Sequence, residues 1–245
     1  MTAESQRGNS SYWDRGVIEA IKSSGIPNSS NMMFVDGDRF RQHEWPGSKG
    51  DYDEWGAIQN GGYTKGNSSE SRRKAGYQSG MDDFKSILAR LSRDPKTNKI
   101  IEKIQIYTHS RGAAFGAGYT EALMELIQKN ADQFTDPQSV IDLVFNMAPN
   151  EADRDGTSAP DGVNSYSLHH DNDFLSGAGM KGSKANFTSK ESAGGPFGPH
   201  STSSFVKDIT AFTKAFARSK GNNKNLINNF INTMQNYGIK VTVQQ

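Results

Sequence analysis

An α/β fold, with a mostly parallel sheet covered by helices on both faces, is what this sequence predicts. Three observations carry the prediction. Short apolar runs of strand character alternate with longer stretches whose apolar residues recur at helical spacing. Gly, Ser, Asn and Asp gather between them, where turns are needed. A length of 245 residues is ordinary for one α/β domain, and residues 12–245 are expected to form a single one behind a flexible segment at 1–11.

From Tyr12 to Ser23, the residues Trp13, Val17, Ile18 and Ile21 fall on one helical face, and Gly25-Ile26-Pro27 ends the element. Met32-Met33-Phe34-Val35 has the form of a short buried strand, stopped by Asp36-Gly37-Asp38. Residues 41–71 follow as a long polar loop with embedded aromatics, a length more often functional than structural. Met81, Phe84, Ile87, Leu88 and Leu91 mark a second helix, closed by Asp94-Pro95. Ile101, Ile104, Ile106 and Tyr107 predict a strand running into Thr108-His109-Ser110-Arg111-Gly112. The helix after it opens on small residues, Ala113, Ala114, Gly116 and Ala117.

Val140 to Phe145 is strand-like, and so is Val163 to Leu168, which leads into His169-His170-Asp171-Asn172-Asp173. Residues 176–199 form a Gly/Ser-rich stretch without periodicity. Phe205, Val206, Ile209, Phe212 and Phe216 predict one amphipathic helix, and Leu226, Ile227, Phe230, Ile231 and Met234 another. Ile239 to Val243 is suited to a terminal edge strand.

Composition narrows the function. Lys+Arg 28 against Asp+Glu 27 gives a formal charge of +1, which offers no general attraction to nucleic acid or anionic lipid. No apolar run approaches the roughly 20 residues of a membrane-spanning helix. The polar Met1 to Ser11 lacks the core of a secretory signal, so a cytoplasmic chain or one delivered by a non-classical route is expected. Without cysteine there is no thiol catalysis and no thiolate metal site.

Ser-x-Gly occurs also at Ser48, Ser192 and Ser219, so the triplet alone carries little. Only Ser110 stands between an apolar strand and a helix of small residues, the setting of a strained nucleophile turn. Gly112 supplies the small neighbour on one side, and Thr108 stands where glycine is commoner on the other. The helix start aims its positive end at the hydroxyl, and the backbone N–H of Arg111 is placed to stabilise an oxyanion. The competing reading is a serine that merely caps the following helix.

In the order of its parts the chain resembles the class 3 lipase branch of the α/β-hydrolases. Phe34-Val35-Asp36-Gly37-Asp38 corresponds to the oxyanion turn, Thr108 to Gly112 to the nucleophile elbow, and Phe145-Asn146-Met147-Ala148-Pro149 to the next strand end. Asp171-Asn172-Asp173-Phe174-Leu175 corresponds to the acid segment and Pro199-His200-Ser201 to the histidine. The resemblance implies a serine esterase or lipase with the triad Ser110, Asp173 and His200, in this fold's chain order. It implies backbone oxyanion donors at Asp38 and Arg111, no cofactor and no metal, and an ester or amphiphile as substrate. Asp173 is preferred to Asp171 because it directly precedes Phe174-Leu175. Ser11-Tyr12-Trp13 and Thr108 to Gly112 also look like C-terminal domains of bacterial RHS-repeat proteins, which implies a larger parent or delivery protein.

Family members usually carry Ser or Thr where this chain has Asp38. A carboxylate there opposes an oxyanion unless neutralised, and Arg111 is the expected ion-pair partner, with Arg39 a second candidate. Alternatively, Arg111 grips an anionic substrate. The loop from Arg41 occupies the lid position with Trp45 and Trp55 as its large anchors, a composition suited to soluble esters. Of the other histidines, His43 lies in that loop. His109 is expected to point away from Ser110 in a structural role, and His169 and His170 to face opposite sides of their strand. Two rivals remain open: a metal-dependent hydrolase on His169-His170-Asp171-Asn172-Asp173, and a non-catalytic module retaining the fold. Asp153, Asp155 and Asp161 do not fit a calcium-loop spacing.

Overall fold

The computed structural model describes residues 8–27, 29, 31–37, 69–150, 152, 157–176, 179–191, 194–195 and 197–245. The positions of Asp38, Arg39, His43, Trp45, Trp55, Asp153 and Asp155 therefore lie outside the described residues, as does most of the lid-like loop.

Five strands form one sheet in the order β1-β2-β3-β4-β5: Ile104–His109, Ile141–Met147, Ser165–His170, Ala185–Ser189 and Val241–Gln244. The first four run parallel and β5 closes the edge antiparallel to β4. Alternation along β2 divides the interior into two cores, as strand geometry requires. Leu143, Phe145 and Met147 face one side, with Tyr166, Leu168 and Phe187. Val144 faces the other, with Ile104 and Ile106 of β1 packed against the same cluster.

Helices α1 (Arg15–Lys22), α4 (Val206–Ser219) and α5 (Asn223–Asn236) cover the first face. Phe212 of α4 is fully buried there, its ring 4.0 Å from that of Phe145 and 5.8 Å from that of Phe230. Burying such a ring contributes about 2–3 kcal/mol, and truncating it in a packed core costs about 3–5 kcal/mol. Asp14 caps α1 by accepting from the Gly16 N–H at 2.7 Å, while its own N–H donates to Thr202 Oγ1 at 3.1 Å. That bond ties the start of the chain to the segment that carries His200.

Helices α2 (Ser69–Arg90) and α3 (Gly112–Lys129) cover the second face. Their backbones touch. A Cβ on Gly76 would stand 1.9 Å from the Phe115 carbonyl oxygen, and one on Gly118 1.8 Å from that of Arg73, so only glycine fits either position. Arg73 adds a two-pronged bond to Glu121, at 3.0 and 2.5 Å. The small residues of α3 have a similar cause: Ala113 and Ala117 pack on Ala152, Ala159 and Met180.

Several expectations are corrected. Asn31 to Val35 forms no strand; the Arg90 side chain bonds the Met32 carbonyl at 2.6 Å and Asn31 Oδ1 at 3.0 Å there. The second helix begins at Ser69 rather than near Met81, so the end of the 41–71 loop is helical. Residues 176–199 contain β4, whose Ala185, Phe187 and Ser189 alternate inward among flanking Gly and Lys. Ahead of α1, a 3-10 turn spans Ser10–Tyr12, capped by Asn9, while residues 1–7 lie outside the described residues.

Candidate active site

Strand β1 ends at His109, and the chain must turn sharply to enter α3. Ser110 makes that turn at φ 55°, a left-handed conformation that costs a serine about 1–3 kcal/mol unless its surroundings hold it. They do. Its N–H donates to the Met147 carbonyl at 3.0 Å, and its carbonyl accepts from Ala113 N–H at 3.1 Å and Asn150 N–H at 3.2 Å. Arg111, not Ser110, is the residue that caps α3, and it does so without a side-chain capping bond. Helix capping therefore does not account for the serine.

Thr108 sits two residues before Ser110, where its bulk would obstruct the turn if nothing gave way. Gly116 gives way: a Cβ there would stand 2.4 Å from Thr108 Cγ2. The buried Thr108 hydroxyl donates to Asn146 Oδ1 at 2.7 Å, and the Asn146 amide in turn bonds Ser165 Oγ and the Tyr166 carbonyl. The departure at position 108 is thus accommodated one helical turn into α3.

Asp173 follows the end of β3, its side chain 1% exposed. Its Oδ1 accepts from Leu175 N–H at 3.0 Å, and Oδ2 from Ser176 Oγ at 2.5 Å and His200 Nδ1 at 2.8 Å. Burial opposes the charge, but the bond and charge of His200, with Ser176 and Leu175, outweigh it and hold the carboxyl below its ordinary range. An ionised Asp173 only accepts, so the proton at this bond belongs to His200 Nδ1. The lone pair of Nε2 then faces Ser110 Oγ at 2.7 Å.

Ser110, His200 and Asp173 therefore stand in one hydrogen-bonded chain at the carboxyl ends of β1 and β3, the edge of a parallel sheet where ligands bind. No family model, curated protein or solved structure matches this chain.

The other sequence-predicted residues separate clearly. Asp171 pairs with Lys190 at 3.2 Å on the surface, away from His200. His169 and His170 take opposite faces of β3: His169 Nε2 meets Thr188 Oγ1 at 3.2 Å, and His170 is fully buried against Asp208 at 3.2 Å. Among the described residues, no group of three or more His, Asp or Glu side chains converges as a metal cage. The Asp36-Gly37 turn lies beside the elbow, a Cβ on Gly37 being 3.6 Å from Gly112 Cα. The expected Asp38–Arg111 pair falls outside the described residues.

Two features escaped sequence reasoning. Asn150 joins the turns that carry Ser110 and Asp173, since its backbone holds Ser110 and its side chain donates to the Leu175 carbonyl at 2.8 Å. Nothing in Ala148-Pro149-Asn150 signals this. The Tyr12 hydroxyl meets His109 Nδ1 at 2.6 Å, across 97 residues of sequence.

Proposed function

We propose that this protein is a serine carboxylic-ester hydrolase, esterase- or lipase-like, on an α/β-hydrolase fold. The single observation that carries the reading is the chain Ser110 Oγ to His200 Nε2 to Asp173 Oδ2, at 2.7 and 2.8 Å, behind a serine held at positive φ. Structural serines have no need of all three.

In the proposed reaction Ser110 Oγ attacks the ester carbonyl carbon as its proton passes to His200 Nε2. The C=O electrons move to oxygen, and Asp173 stabilises the imidazolium that forms. The oxyanion is assigned to the start of α3, with the backbone N–H of Arg111 and with Gly37 beside Gly112. Collapse breaks the bond to the alkoxide, which leaves with the His200 proton, and an acyl-Ser110 remains. Water then loses a proton to His200 Nε2 and attacks the acyl carbon, releasing the acid and restoring Ser110. The cycle requires no cofactor.

Phe174 and Phe197 are 61% and 40% exposed, with rings 5.6 Å apart, and adjoin Asp173 and the His200 turn in sequence. Apolar rings at that position suit a soluble or amphiphilic ester with an apolar portion. Hydrolysis of p-nitrophenyl butyrate tests the proposal. Turnover by the wild type, lost in Ser110→Ala and insensitive to chelator, is expected. Equal turnover by both proteins would refute the role of Ser110, and a folded chain without turnover would favour a non-catalytic module.

A further inference from the structure

His200 lies in a short turn between glycine-rich chain and α4, which by itself is a weak platform for a side chain that must meet two partners at once. Both peptide groups that flank it are held by buried histidines. His109 Nε2 lies 2.7 Å from the His200 carbonyl oxygen, and His170 Nδ1 lies 2.8 Å from that of Pro199. A carbonyl only accepts, so each of these nitrogens carries a proton. Phe205, fully buried, touches both rings: it stacks on His170 at 4.2 Å and 10°, and meets His109 edge-on at 6.1 Å.

The opposite ends of the two imidazoles are fixed differently. His109 Nδ1 faces the Tyr12 hydroxyl at 2.6 Å, which donates to it and makes His109 a neutral ring with its proton on Nε2. His170 Nε2 faces the Asp208 carboxyl group at 3.2 Å, both side chains wholly buried. Burial drives the His109 pKa down to about 3, with the His200 ring adding to the effect. Burial also works against His170, but the bond and charge of Asp208 overcome it and hold the pKa above its ordinary value.

We propose that His109 and His170 are positioning residues that clamp the two peptide carbonyls on either side of His200, and so fix its ring between Ser110 and Asp173. The inference rests on the reading of His200 as general base. Tyr12 belongs to the device, because its hydroxyl selects the His109 tautomer that can donate. Displacement of a reacting group by about 1 Å is enough to cost about 100-fold in rate, so loss of either grip is expected to slow acylation rather than substrate binding.

The test compares three changes. His109→Leu removes one grip, and His109→Gln keeps an N–H donor. The pair His170→Leu with Asp208→Leu removes the other without leaving a buried charge alone. Two readouts are taken: the rate at which diisopropyl fluorophosphate modifies Ser110, and the downfield proton resonance of His200 Nδ1 bonded to Asp173. His109→Leu and the double variant are expected to slow modification about tenfold or more and to broaden or lose the resonance, with KM for p-nitrophenyl butyrate unchanged. His109→Gln should retain most of both signals. If His109→Leu does not fold, Tyr12→Phe replaces it, with the same losses expected in milder form.

Folded variants with wild-type modification rate and wild-type resonance would overturn the clamp, and so would a wild type that shows no such resonance. If the wild type is not modified at Ser110, the hydrolase reading fails on its own. The resonance then decides the clamp alone, since it reports the His200–Asp173 bond whether or not the serine reacts.

Discussion

Replacing Gly116 by alanine places a methyl group 2.4 Å from Thr108 Cγ2, far inside the 3.5–4.0 Å at which two carbons attract. Overpacking of this kind costs about 1–3 kcal/mol, and so close a contact belongs at the upper end, about 3 kcal/mol. Alanine also returns about 1 kcal/mol of helix propensity inside α3, which leaves a net loss of about 2 kcal/mol. Thr108→Ser removes only the colliding methyl and keeps the hydroxyl bonded to Asn146; alone it costs about 1 kcal/mol for a buried methyl group. Together the two changes remove the collision and leave the methyl loss against the propensity gain, so the double variant should match the wild type. The coupling is then about 3 kcal/mol, at the top of the range for residues in contact. Urea unfolding of the four proteins measures it. Effects that add within about 0.5 kcal/mol would show that Gly116 does not make room for Thr108, and the explanation of that threonine at the elbow would fall.

Three further outcomes are expected. Asp173→Asn should lower kcat by about 10⁴-fold, since the amide no longer selects the useful His200 tautomer, whereas Asp171→Asn, which loses only a surface pair with Lys190, should turn over p-nitrophenyl butyrate like the wild type. Gly118→Ala has no room to relax against the Arg73 backbone, so its melting temperature should drop by more than that of Gly194→Ala, whose added methyl meets nothing within 4 Å. His109 is neutral in the folded chain down to about pH 3, but in the unfolded chain it takes a proton near pH 6.5. The unfolded state therefore binds more protons between these values, and the stability His109 confers falls as pH drops through that window. The slope of unfolding free energy against pH between about 4 and 6.5 should flatten in His109→Gln. His170 acts in the opposite sense: with its pKa raised, its contribution is complete below about pH 6.5 and is lost as pH rises through the raised value.

Where one physical rule governs a stretch, the sequence is informative. Helical spacing at Val17, Ile21, Phe212 and Phe230 locates three of the helices on the first face, because a packed face leaves no alternative period. Ser110 stands out because strand, turn and small-residue helix occur together, and Asp173 and His200 follow from chain order within the resemblance. The misses share a cause. Strand β4 has only five residues, and its inward positions are Ala, Phe and Ser, too little apolar signal to separate from the glycine-rich chain around it. The first half of helix α2 is bound through Gly76, Gly118 and the Arg73–Glu121 bond, none of which gives a hydrophobic period. Met32 to Val35 has strand composition, but it forms no strand, and a distant arginine takes its Met32 carbonyl. Long-range contacts such as Tyr12 with His109 have no local signature at all.

Reaction of the intact protein with diisopropyl fluorophosphate, followed by mass spectrometry of its peptides, decides whether Ser110 is an activated nucleophile. Ser110 Oγ displaces fluoride from phosphorus only if His200 removes its proton, so the reagent reports the assembled chain of groups rather than a preferred substrate. One adduct per chain is expected, on the peptide containing Ser110, absent from Ser110→Ala and strongly slowed in His200→Ala. A folded wild type that forms no adduct, or one modified at another serine at the same rate in all three proteins, would contradict the role of Ser110.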